Sequence, residues 1–399
     1  MKRVLIVNNN MHIGGVQREL LNLLNEIHDQ YEITLLLFYA GGGLLPDIPK
    51  DVRIIMAHSA FRYFGMTKGD VSNKKEYVIR TVLAGWTRLF GMGSTLRFVF
   101  PLQVRLCGYD VAISYLHSGD PHIFYGGCNE FVLNCVEAKR KISFLHCDFG
   151  KIGAATKCNS RIYGQFDRIA ACSAGCRDSF LTCMPQFRDR VHVVKNCQNY
   201  TEICRMAQTQ TVSLPQSKLN VATVARFGRE KGILRAIQAF SQLGEDAKSV
   251  NYYLIGNGAE HSAAADKISE YGLTRKVLLL GEMTNPYGYL KAADVLLIPS
   301  LSEAAPMVID EAAVLGTPVL STQTLSSHEM ITQRGVGWVC ENSVDGIRDG
   351  IKYLVAHPDA VKEKSAFLRT LAFDNADAVE QFRKMIDSDG DRGGEQSDE

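Results

Sequence analysis

The sequence lacks any run of the roughly 18–20 consecutive apolar residues that a helix needs to cross a bilayer. Its amino terminus, MKRVLIVNNN, has an apolar run of only residues 4–7, which ends in three asparagines. Such a run is too short for the apolar region of a secretory signal peptide. The sequence therefore predicts a cytoplasmic protein, unless something else tethers it to a membrane.

The chain also lacks a strong net charge and a metal-binding cysteine pattern. Its 44 basic and 43 acidic residues give a net charge of +1, which provides no general attraction to nucleic acid. The eleven cysteines are an odd number in a long chain, and no CxxC pair is followed by a second pair at zinc-site spacing. These features argue against a disulfide framework or a zinc site and favour free thiols in a reducing compartment.

Length and pattern indicate two domains of the α/β class. A chain of 399 residues is too long to fold around one ordinary hydrophobic core. Short apolar runs typical of buried strands, such as KRVLIV, YEITLLLF and YDVAISYL, alternate with segments that have helical spacing of apolar residues. We therefore predict two doubly wound Rossmann-like domains facing across a cleft. The predicted boundaries are an N-terminal acceptor-side domain at 1–195, a polar linker at 196–217, a donor-binding domain at 218–372, a C-terminal helix at 373–387 that returns to the N-terminal domain, and a disordered acidic tail at 388–399.

Ligands of open α/β sheets bind beside the carboxyl ends of the strands, so the loops that follow strands are the candidate sites. Gly14 and Gly15 separate the first strand from the first helix, and Gly256, Asn257 and Gly258 follow a strand of the second domain. Glycines there let a ligand approach the backbone, although both segments also fit ordinary tight turns. The first segment is not GxGxxG, so the dinucleotide fingerprint is absent.

Charged residues occupy two further loops of the second domain. VARFGREKGI carries Arg226 and Lys231, a guanidinium and an ammonium group that suit a diphosphate. PSLSEAAPMVIDEAAVLG carries Glu303 before a predicted helix and Glu311 inside it. Each pair alone also fits solvated surface charge, but all four residues follow strands of one predicted sheet.

This combination resembles the retaining nucleotide-sugar glycosyltransferases of family 4, the group 1 glycosyltransferases with the GT-B fold. The stretches that carry the resemblance are GGVQR, VARFGREKG, LIGNG and GEMTNPYGYLKAADVLLIPSLSEAAPMVIDEAAVLGTPVLST. The resemblance spans nearly the whole chain and is densest over residues 221–322. It implies transfer of a hexose-type sugar from a nucleotide-diphosphate sugar to a hydroxyl of a glycan or lipid-linked acceptor, in capsular polysaccharide, exopolysaccharide or glycolipid biosynthesis.

The resemblance also implies roles for individual residues. Arg226 and Lys231 would hold the donor diphosphate, Glu303 would contact the donor sugar, and Glu311 would contact the ribose hydroxyls. Retention of configuration would follow if the departing diphosphate oxygen takes the proton of the acceptor while the protein stabilises the leaving charge.

Four more residues complete the implied donor site. The backbone near Met283 would hold the base, and N–H groups near Met307 and Val308 would approach the sugar and the phosphates. His146, at the end of the strand KISFLH, matches a family histidine near the donor sugar and β-phosphate. A single histidine at a strand end also fits a structural role.

Two features limit what the resemblance implies. Many relatives have EGFP or EGFG after the first carboxylate, whereas this chain has EAAP with Ala304 and Ala305, so the identity of the sugar stays open. No DxD motif occurs in the predicted cleft loops. The one similar stretch, DSDGD, falls in the predicted tail. We therefore expect no metal and no cofactor, and we expect a UDP- or GDP-linked sugar as the substrate.

A basic segment of the N-terminal domain suggests a second surface. Residues 62–108 include eight Lys and Arg residues and only two acidic residues. Within this segment Arg80, Arg88 and Arg97 alternate with aromatic residues that include Trp86. Cations beside aromatic and apolar groups suit a peripheral contact with the cytoplasmic face of a membrane or with a lipid-linked acceptor. A pair of helices with snorkelling arginines explains the same pattern.

Two other functions compete with glycosyl transfer. Paired Rossmann domains also occur in NAD(P)-dependent oxidoreductases, but the missing GxGxxG fingerprint counts against that class. A non-catalytic nucleotide-sugar-binding module would need only part of the site, whereas Arg226, Lys231, Glu303 and Glu311 are all present. Nucleic-acid binding is disfavoured by the neutral net charge.

Overall fold

A computed structural model describes residues 1–387 of the chain. The strands are β1 (Arg3–Asn8), β2 (Glu32–Leu37), β3 (Arg53–Met56), β4 (Leu106–Ser114), β5 (Val136–Leu145), β6 (Arg168–Ala171), β7 (Val191–Val193), β8 (Leu219–Val224), β9 (Val250–Ile255), β10 (Val277–Gly281), β11 (Val295–Ile298), β12 (Val319–Thr322) and β13 (Gly337–Cys340). The α-helices are α1 (Gly15–Ile27), α2 (Arg62–Gly65), α3 (Lys74–Phe90), α4 (Met92–Arg97), α5 (Cys128–Cys135), α6 (Lys157–Tyr163), α7 (Ala174–Cys183), α8 (Tyr200–Thr209), α9 (Ile233–Ser241), α10 (His261–Glu270), α11 (Tyr287–Ala292), α12 (Val308–Val314), α13 (Val344–Ala356), α14 (Pro358–Leu368) and α15 (Ala376–Asp387).

The described residues form two compact units. Unit 1 comprises residues 1–172, 180–197 and 375–387, and unit 2 comprises residues 173–179 and 198–374. The C-terminal helix α15 thus lies in unit 1, where Phe382 and Met385 join the core beneath α1. The predicted acidic tail at 388–399 lies outside the described residues.

Unit 1 is built on a seven-stranded sheet with the order β3-β2-β1-β4-β5-β6-β7. All of its strand pairs are parallel, and β1 pairs with β2 on one side and with β4 on the other. The apolar run Val4–Val7 is fully buried, because successive side chains enter different cores. Val4 and Ile6 pack under α1 and α15, whereas Leu5 and Val7 pack under α2, α4 and α5.

Unit 2 is built on a six-stranded parallel sheet with the order β10-β9-β8-β11-β12-β13. One face carries α9, α10 and α13, and the other carries α8, α11 and α12. Both sheets therefore have helices on two sides and reverse their winding direction once. The predicted α/β class with two doubly wound domains is confirmed.

The sequence-based expectation did not name every element, and β3, β13 and α8 are examples. The short edge strands β3 and β13 were missing from it, because an edge strand such as RIIM is largely exposed and lacks a long apolar run. Helix α8 lies inside the segment predicted to be a linker. Its few apolar contacts, made by Ile203 and Ala207, are spaced four residues apart among polar ones, which hides the helical pattern.

Helix α1 forms hydrogen bonds with the two chain segments that flank residues 198–374 in the sequence, at Cys197 and at Asn375. The side-chain amide of Asn22 donates to the carbonyl oxygen of Cys197 at 2.9 Å. The backbone N–H of Cys197 bonds the carboxyl group of Glu19, which also accepts a hydrogen bond from Tyr115. Farther along α1, Glu26 accepts a hydrogen bond of 2.7 Å from the amide of Asn375.

Burial raises the pKa of Glu19 to about 8, although the hydrogen bonds from Tyr115 and from the Cys197 backbone lower it. The folded protein therefore keeps a proton on Glu19 at a pH where an unfolded glutamate, with a pKa of about 4.3, has lost it. A group that binds its proton more tightly in the folded state contributes stability that disappears as the pH rises.

We expect replacement of Glu19 by Gln to change the pH dependence of stability. Between pH 5 and 8 the free energy of unfolding of the wild type should fall, relative to Glu19→Gln, by up to about 1.4 kcal/mol per pH unit. Urea unfolding at several pH values measures this difference. Glu32→Gln, at the exposed start of β2, is the control; an equal pH dependence of wild type and Glu19→Gln would contradict the prediction.

Candidate functional site

The reversal of winding in unit 2 lies between β8 and β11. These strands are neighbours, and the chain proceeds outward from β8 to β9 on one side and from β11 to β12 on the other. The loops that follow β8 and β11 therefore diverge at the carboxyl edge of the sheet, which is where open α/β sheets bind ligands. The first loop carries Arg226 and Lys231, and the second carries Glu303.

The two loops touch at Gly232. This residue has a φ of +67°, and a Cβ atom added to it would lie 2.1 Å from the carbonyl oxygen of Pro299. The backbone N–H of Leu301 in turn donates to the carbonyl oxygen of Glu230 at 2.8 Å. Glycine at position 232 is required both by the left-handed backbone and by this approach.

Lys231 and Glu303 meet across the two loops. The ammonium group of Lys231 lies 2.7 Å from Oε1 of Glu303, and the two side chains are only 26% and 10% exposed. Ser300 Oγ donates to the same carboxylate oxygen, also at 2.7 Å. The structure therefore brings together two of the predicted residues and adds Ser300.

Arg226 lies apart from this group. Its side chain is 75% exposed, and its Nη2 forms an ion pair of 2.7 Å with Oε1 of Glu230, four residues away. The local pair explains why Arg226 does not contact Glu303, although it lies on the same loop as Lys231. A diphosphate would have to compete with Glu230 for this guanidinium group.

The glycine turn after β9 has a structural explanation. Gly256 and Gly258 have φ values of +139° and +157°. A Cβ atom at Gly256 would lie 1.8 Å from the carbonyl oxygen of Ala225, and one at Gly258 would lie 2.6 Å from that of Phe227. The carbonyl oxygen of Asn257 accepts the N–H of Phe227 at 2.8 Å. This turn therefore supports the loop that carries Arg226 and Lys231.

Helix α12 places Glu311 in its first turn, where the residue is buried. The N–H of Glu311 donates to the carbonyl oxygen of Met307, which also accepts a hydrogen bond from Gln198 at 2.8 Å. The adjacent Asp310 forms an ion pair of 2.6 Å with Arg334. The predicted roles of the Met307 and Val308 N–H groups stay predictions, as does that of Met283, which lies partly exposed two residues after β10.

The loop between Glu303 and α12 is held by the start of α7. Ser173 Oγ donates to the carbonyl oxygen of Ala304 at 2.6 Å. A Cβ atom at Gly175 would lie 2.1 Å from the carbonyl oxygen of Leu325, so this segment also approaches its neighbours closely. Ser173 was not predicted, because nothing in the sequence relates it to residues more than a hundred positions later.

Ser300 had a signal in the sequence. Ser300 and Glu303 form an S-x-x-E pattern, which typically marks a capping box at a helix start. In this chain the pattern joins the two side chains to each other, ahead of α12.

In unit 1, Gly14 and Gly15 open helix α1. Gly14 has an extended φ of −169°, and no atom lies within 4 Å of a Cβ added to Gly15. A Cβ at Gly14 would meet only the end of the Gln17 side chain, at 2.8 Å. The fold of the described residues therefore imposes no steric need for glycine at position 15.

His146 follows β5 in unit 1 and stacks on Phe144, with ring centroids 5.8 Å apart. Burial lowers the pKa of His146 to about 3, helped by the neighbouring His117 and opposed by a hydrogen bond to the Tyr115 backbone. Burial also lowers the pKa of His117 to about 4. Within residues 1–387, Nε2 of His146 and Nδ1 of His117 are buried without a hydrogen-bond partner.

The predicted membrane segment forms α3 and α4. Trp86 stacks with Phe90 and Phe98 at centroid distances of 4.4 and 5.7 Å. Arg88 and Arg97 are exposed, whereas Arg80 is partly buried, with its Nη2 donating to the carbonyl oxygen of Met66 at 3.2 Å. Arg80 therefore packs within unit 1 and presents little charge to solvent.

Two features are absent from the described part of the chain. It contains no group of three or more His, Cys, Asp or Glu side chains arranged to hold a metal ion. None of its helices is both long enough and apolar enough to cross a membrane.

Comparisons with known proteins agree on one class. A family model described as glycosyl transferases group 1 matches residues 206–367. The 2-deoxystreptamine glucosyltransferase of Streptomyces kanamyceticus is 27% identical over 165 residues, which cover 41% of this chain and 38% of that protein. The amylovoran biosynthesis glycosyltransferase AmsK of Erwinia amylovora is 30% identical over 129 residues, 30% of this chain and 32% of that one. The matched region thus spans about a third of the length of these curated relatives.

The whole described fold has solved counterparts. The crystal structure of HepE from Anabaena in complex with UDP-glucose matches with a TM-score of 0.67 and 14% identity, covering 97% of this chain and 99% of that one. At this identity the match establishes the fold alone. The GT-B fold that the resemblance implied is confirmed.

We expect Gly232→Ala to destabilise unit 2 more than a matched glycine substitution does. Gly244 has a similar φ of +64°, but no atom lies within 4 Å of an added Cβ. Both alanines should pay about 1–2 kcal/mol for the left-handed backbone, and Gly232→Ala should cost more because it also displaces Pro299. Urea unfolding of the two variants measures this, and equal losses of stability would contradict the inferred contact.

Proposed function

Because residues 206–367 carry a glycosyl transferases group 1 domain, we propose that the chain is a retaining glycosyltransferase. It moves a hexose-type sugar from a nucleotide-diphosphate sugar to a hydroxyl of a glycan or lipid-linked acceptor in polysaccharide or glycolipid biosynthesis. The observation that carries the proposal is the contact of Lys231, Glu303 and Ser300 at the point where the unit 2 sheet reverses its winding.

The charges of this group suit the two chemical parts of a donor. Lys231 supplies a mobile ammonium group for the diphosphate, and the Glu303 carboxylate accepts hydrogen bonds from sugar hydroxyls. The two residues are already in contact, so one ligand that spans a phosphate and a sugar can engage both. Arg226 adds a second cation once it exchanges Glu230 for phosphate oxygens.

The reaction then proceeds on one face of the sugar. The bond between the anomeric carbon and the diphosphate oxygen breaks, and the acceptor oxygen bonds to the same face of that carbon. The departing diphosphate oxygen takes the proton of the acceptor hydroxyl. Lys231 and Arg226 stabilise the negative charge that develops on the diphosphate, so we propose that no metal is needed.

The remaining predicted residues fit the same ligand. We assign Glu311, in the first turn of α12, to the ribose hydroxyls, and the backbone near Met283 to the base. The HepE structure holds UDP-glucose on the same fold, which supports a UDP-linked donor, with a GDP-linked donor as the alternative. We assign His146 to the donor sugar, because a neutral imidazole with a buried, unpartnered nitrogen can bond an uncharged hydroxyl.

The two competing functions have less support. An NAD(P)-dependent oxidoreductase would need a dinucleotide site, and the segment around Gly14 and Gly15 lacks the GxGxxG fingerprint. A non-catalytic binding module is disfavoured because the chain has all four residues of the proposed site, Arg226, Lys231, Glu303 and Glu311.

We expect a thermal-shift panel of UDP-, GDP- and ADP-sugars to identify the donor class. A ligand at about 100 times its Kd should stabilise the wild type by about 2.7 kcal/mol, and Glu311→Ala should reduce this stabilisation because the ribose loses its partner. Glu270→Ala, at the exposed end of α10, is the matched control. The same shifts in the presence of EDTA would agree with a metal-independent site.

Stabilisation by no nucleotide sugar would contradict the proposed function. So would equal stabilisation of wild type and Glu311→Ala, since the assigned ribose contact would then be absent.

We further propose that unit 1 contacts the surface of an anionic membrane through α3 and α4. Only Glu76 and Thr87 of the 17 residues of α3 are buried. Val78, Val82 and Leu89 are 58%, 63% and 72% exposed, and they recur on one face of the helix. Phe90, at the end of α3, and Phe98, just after α4, are also exposed and pack against Trp86.

The positive charge around the exposed apolar face of α3 indicates that an anionic membrane binds there. Residues 77–109 contain no acidic side chain, and Arg88 and Arg97 are exposed beside the apolar residues. A surface that combines inserted apolar side chains with unopposed cations suits anionic lipid headgroups above an acyl layer. A lipid-linked acceptor would lie in the same membrane.

We expect wild-type protein to sediment with vesicles of phosphatidylglycerol and phosphatidylcholine, and much less with phosphatidylcholine alone. Leu89→Glu should abolish the binding, since it places a charge in the apolar face. Tyr353→Glu, on the exposed part of α13, is the control and should bind as the wild type does.

Equal binding to both vesicle types would contradict the proposed role of the arginines. A wild-type dimer in light scattering that Leu89→Glu dissociates would instead identify the face as an interface between two copies of the chain.

A further inference from the structure

The loop that carries Glu303 is held by side chains that none of the proposed donor contacts includes. This loop runs from Pro299, just after β11, to Glu303. The backbone carbonyl oxygens of Pro299, Ser300 and Leu301 all accept hydrogen bonds from side chains of other elements. Such complete anchoring is unusual for a loop, because loops are normally more mobile than the elements they join.

Arg235, in the first turn of α9, makes the largest share of these bonds. Its Nε donates to the carbonyl oxygen of Pro299 at 2.7 Å, and its Nη2 donates to that of Ser300 at 2.8 Å. Longer bonds of 3.4 Å reach the carbonyl oxygen of Asn342 and Oγ1 of Thr322. The guanidinium group thus contacts four neutral oxygen atoms in a partly buried position, and burial lowers the pKa of Arg235.

Two neighbours complete the support. Thr322 Oγ1, at the end of β12, lies 2.6 Å from the carbonyl oxygen of Ser300 and donates to it. The side-chain amide of Asn342 donates to the carbonyl oxygens of Gln323 at 2.7 Å and Leu301 at 3.3 Å. The loop after β11 is therefore fixed to α9, to β12 and to the segment after β13.

Ser300 connects the anchored backbone of this loop to the carboxylate of Glu303. Ser300 accepts from Arg235 through its carbonyl oxygen and donates through Oγ to Oε1 of Glu303. Lys231, four residues before Arg235, contacts the same oxygen. A displacement of Ser300 would therefore move the carboxylate away from Lys231.

We propose that Arg235 is a positioning residue for recognition of the donor sugar, acting through Ser300 and Glu303. The inference rests on the proposed function, because it assigns Glu303 to the sugar. Arg235 itself contacts three backbone carbonyl oxygens and Oγ1 of Thr322, and none of the proposed donor contacts includes it. Its planar group reaches two adjacent carbonyl oxygens at once, which the single ammonium group of lysine cannot reproduce.

The position of Arg235 separates two parts of donor binding. Lys231 and Glu311 are assigned to the diphosphate and the ribose, and neither forms a hydrogen bond to the Arg235 side chain among the contacts of the described residues. Loss of the Arg235 contacts should therefore weaken the sugar contact and leave the nucleoside diphosphate contact in place. The ratio of the two Kd values reports this difference without an acceptor.

The test uses the UDP- or GDP-sugar that stabilises the wild type most, together with its nucleoside diphosphate. In Arg235→Lys the Kd of the nucleoside diphosphate should stay unchanged, while that of the nucleotide sugar should rise about tenfold, as for one lost hydrogen bond to a charged group. In donor hydrolysis, kcat should fall more than KM rises, because the sugar is misplaced by a fraction of an ångström.

A double-mutant cycle identifies the route of the effect. In a Glu303→Gln background, Arg235→Lys should cause little further loss, because the carboxylate through which it acts is already gone. Arg348→Lys is the matched control; this partly buried arginine of α13 pairs with Asp345 and Asp349, and its replacement should leave both Kd values unchanged.

If Arg235→Lys does not fold, a second variant tests the positioning role of the contacts to Ser300. Thr322→Val keeps the shape of the side chain and removes a second short hydrogen bond to the Ser300 carbonyl oxygen. It should weaken nucleotide-sugar binding in the same direction and by a smaller factor.

The outcomes separate the inference from the function on which it rests. If the wild type binds neither nucleoside diphosphates nor nucleotide sugars, the proposed function fails. If the wild type binds both and Arg235→Lys or its substitute Thr322→Val binds them equally well, the inference alone fails. Equal losses of affinity for the two ligands, or additive effects with Glu303→Gln, would also overturn it.

Discussion

The approach of Gly232 to the carbonyl oxygen of Pro299 is the constraint on which the carboxyl edge of unit 2 depends. It joins the loops after β8 and β11, which diverge because the winding reverses between these strands. Together with the hydrogen bond from the N–H of Leu301 to the carbonyl oxygen of Glu230, that approach keeps Lys231 in contact with Glu303. A glycine with a φ of +67° therefore determines the geometry of two charged side chains that flank it in space.

The ion pair between Lys231 and Glu303 is poorly explained as a stabilising feature. Both side chains are largely removed from water, and the cost of removing two charges from water commonly cancels their attraction. Ser300 offsets part of this cost for the carboxylate. Under the proposed function, the pair holds a cation and a carboxylate at adjacent positions before the donor arrives.

The sequence allowed the residues of the candidate site to be predicted more readily than the contacts that these residues make. Continuous apolar runs predicted the central strands, because such strands are buried on both faces. The short edge strands carry no comparable run: β3 is largely exposed and β13 is half-buried. Lys231 and Glu303 stand out in local motifs. Arg235 does not, because its partners lie 64 or more positions away. Arg226 was assigned to the diphosphate, but its ion pair with Glu230 depends on loop geometry that the motif does not encode.

The two units differ in the chemistry of their strand ends. In unit 2 the loops after β8 and β11 present paired charges, Lys231 with Glu303 and Arg226 with Glu230. In unit 1 the segments after β4 and β5 present His117 and His146, whose pKa values burial lowers to about 4 and about 3. Within residues 1–387, each has one buried ring nitrogen without a hydrogen-bond partner. Charged groups bind phosphates, and neutral donors and acceptors bind hydroxyls without the cost of burying an unpaired charge. Under the proposed function, unit 2 offers Lys231 to the diphosphate and Glu303 to the sugar, and His146 of unit 1 offers a neutral group to a sugar hydroxyl.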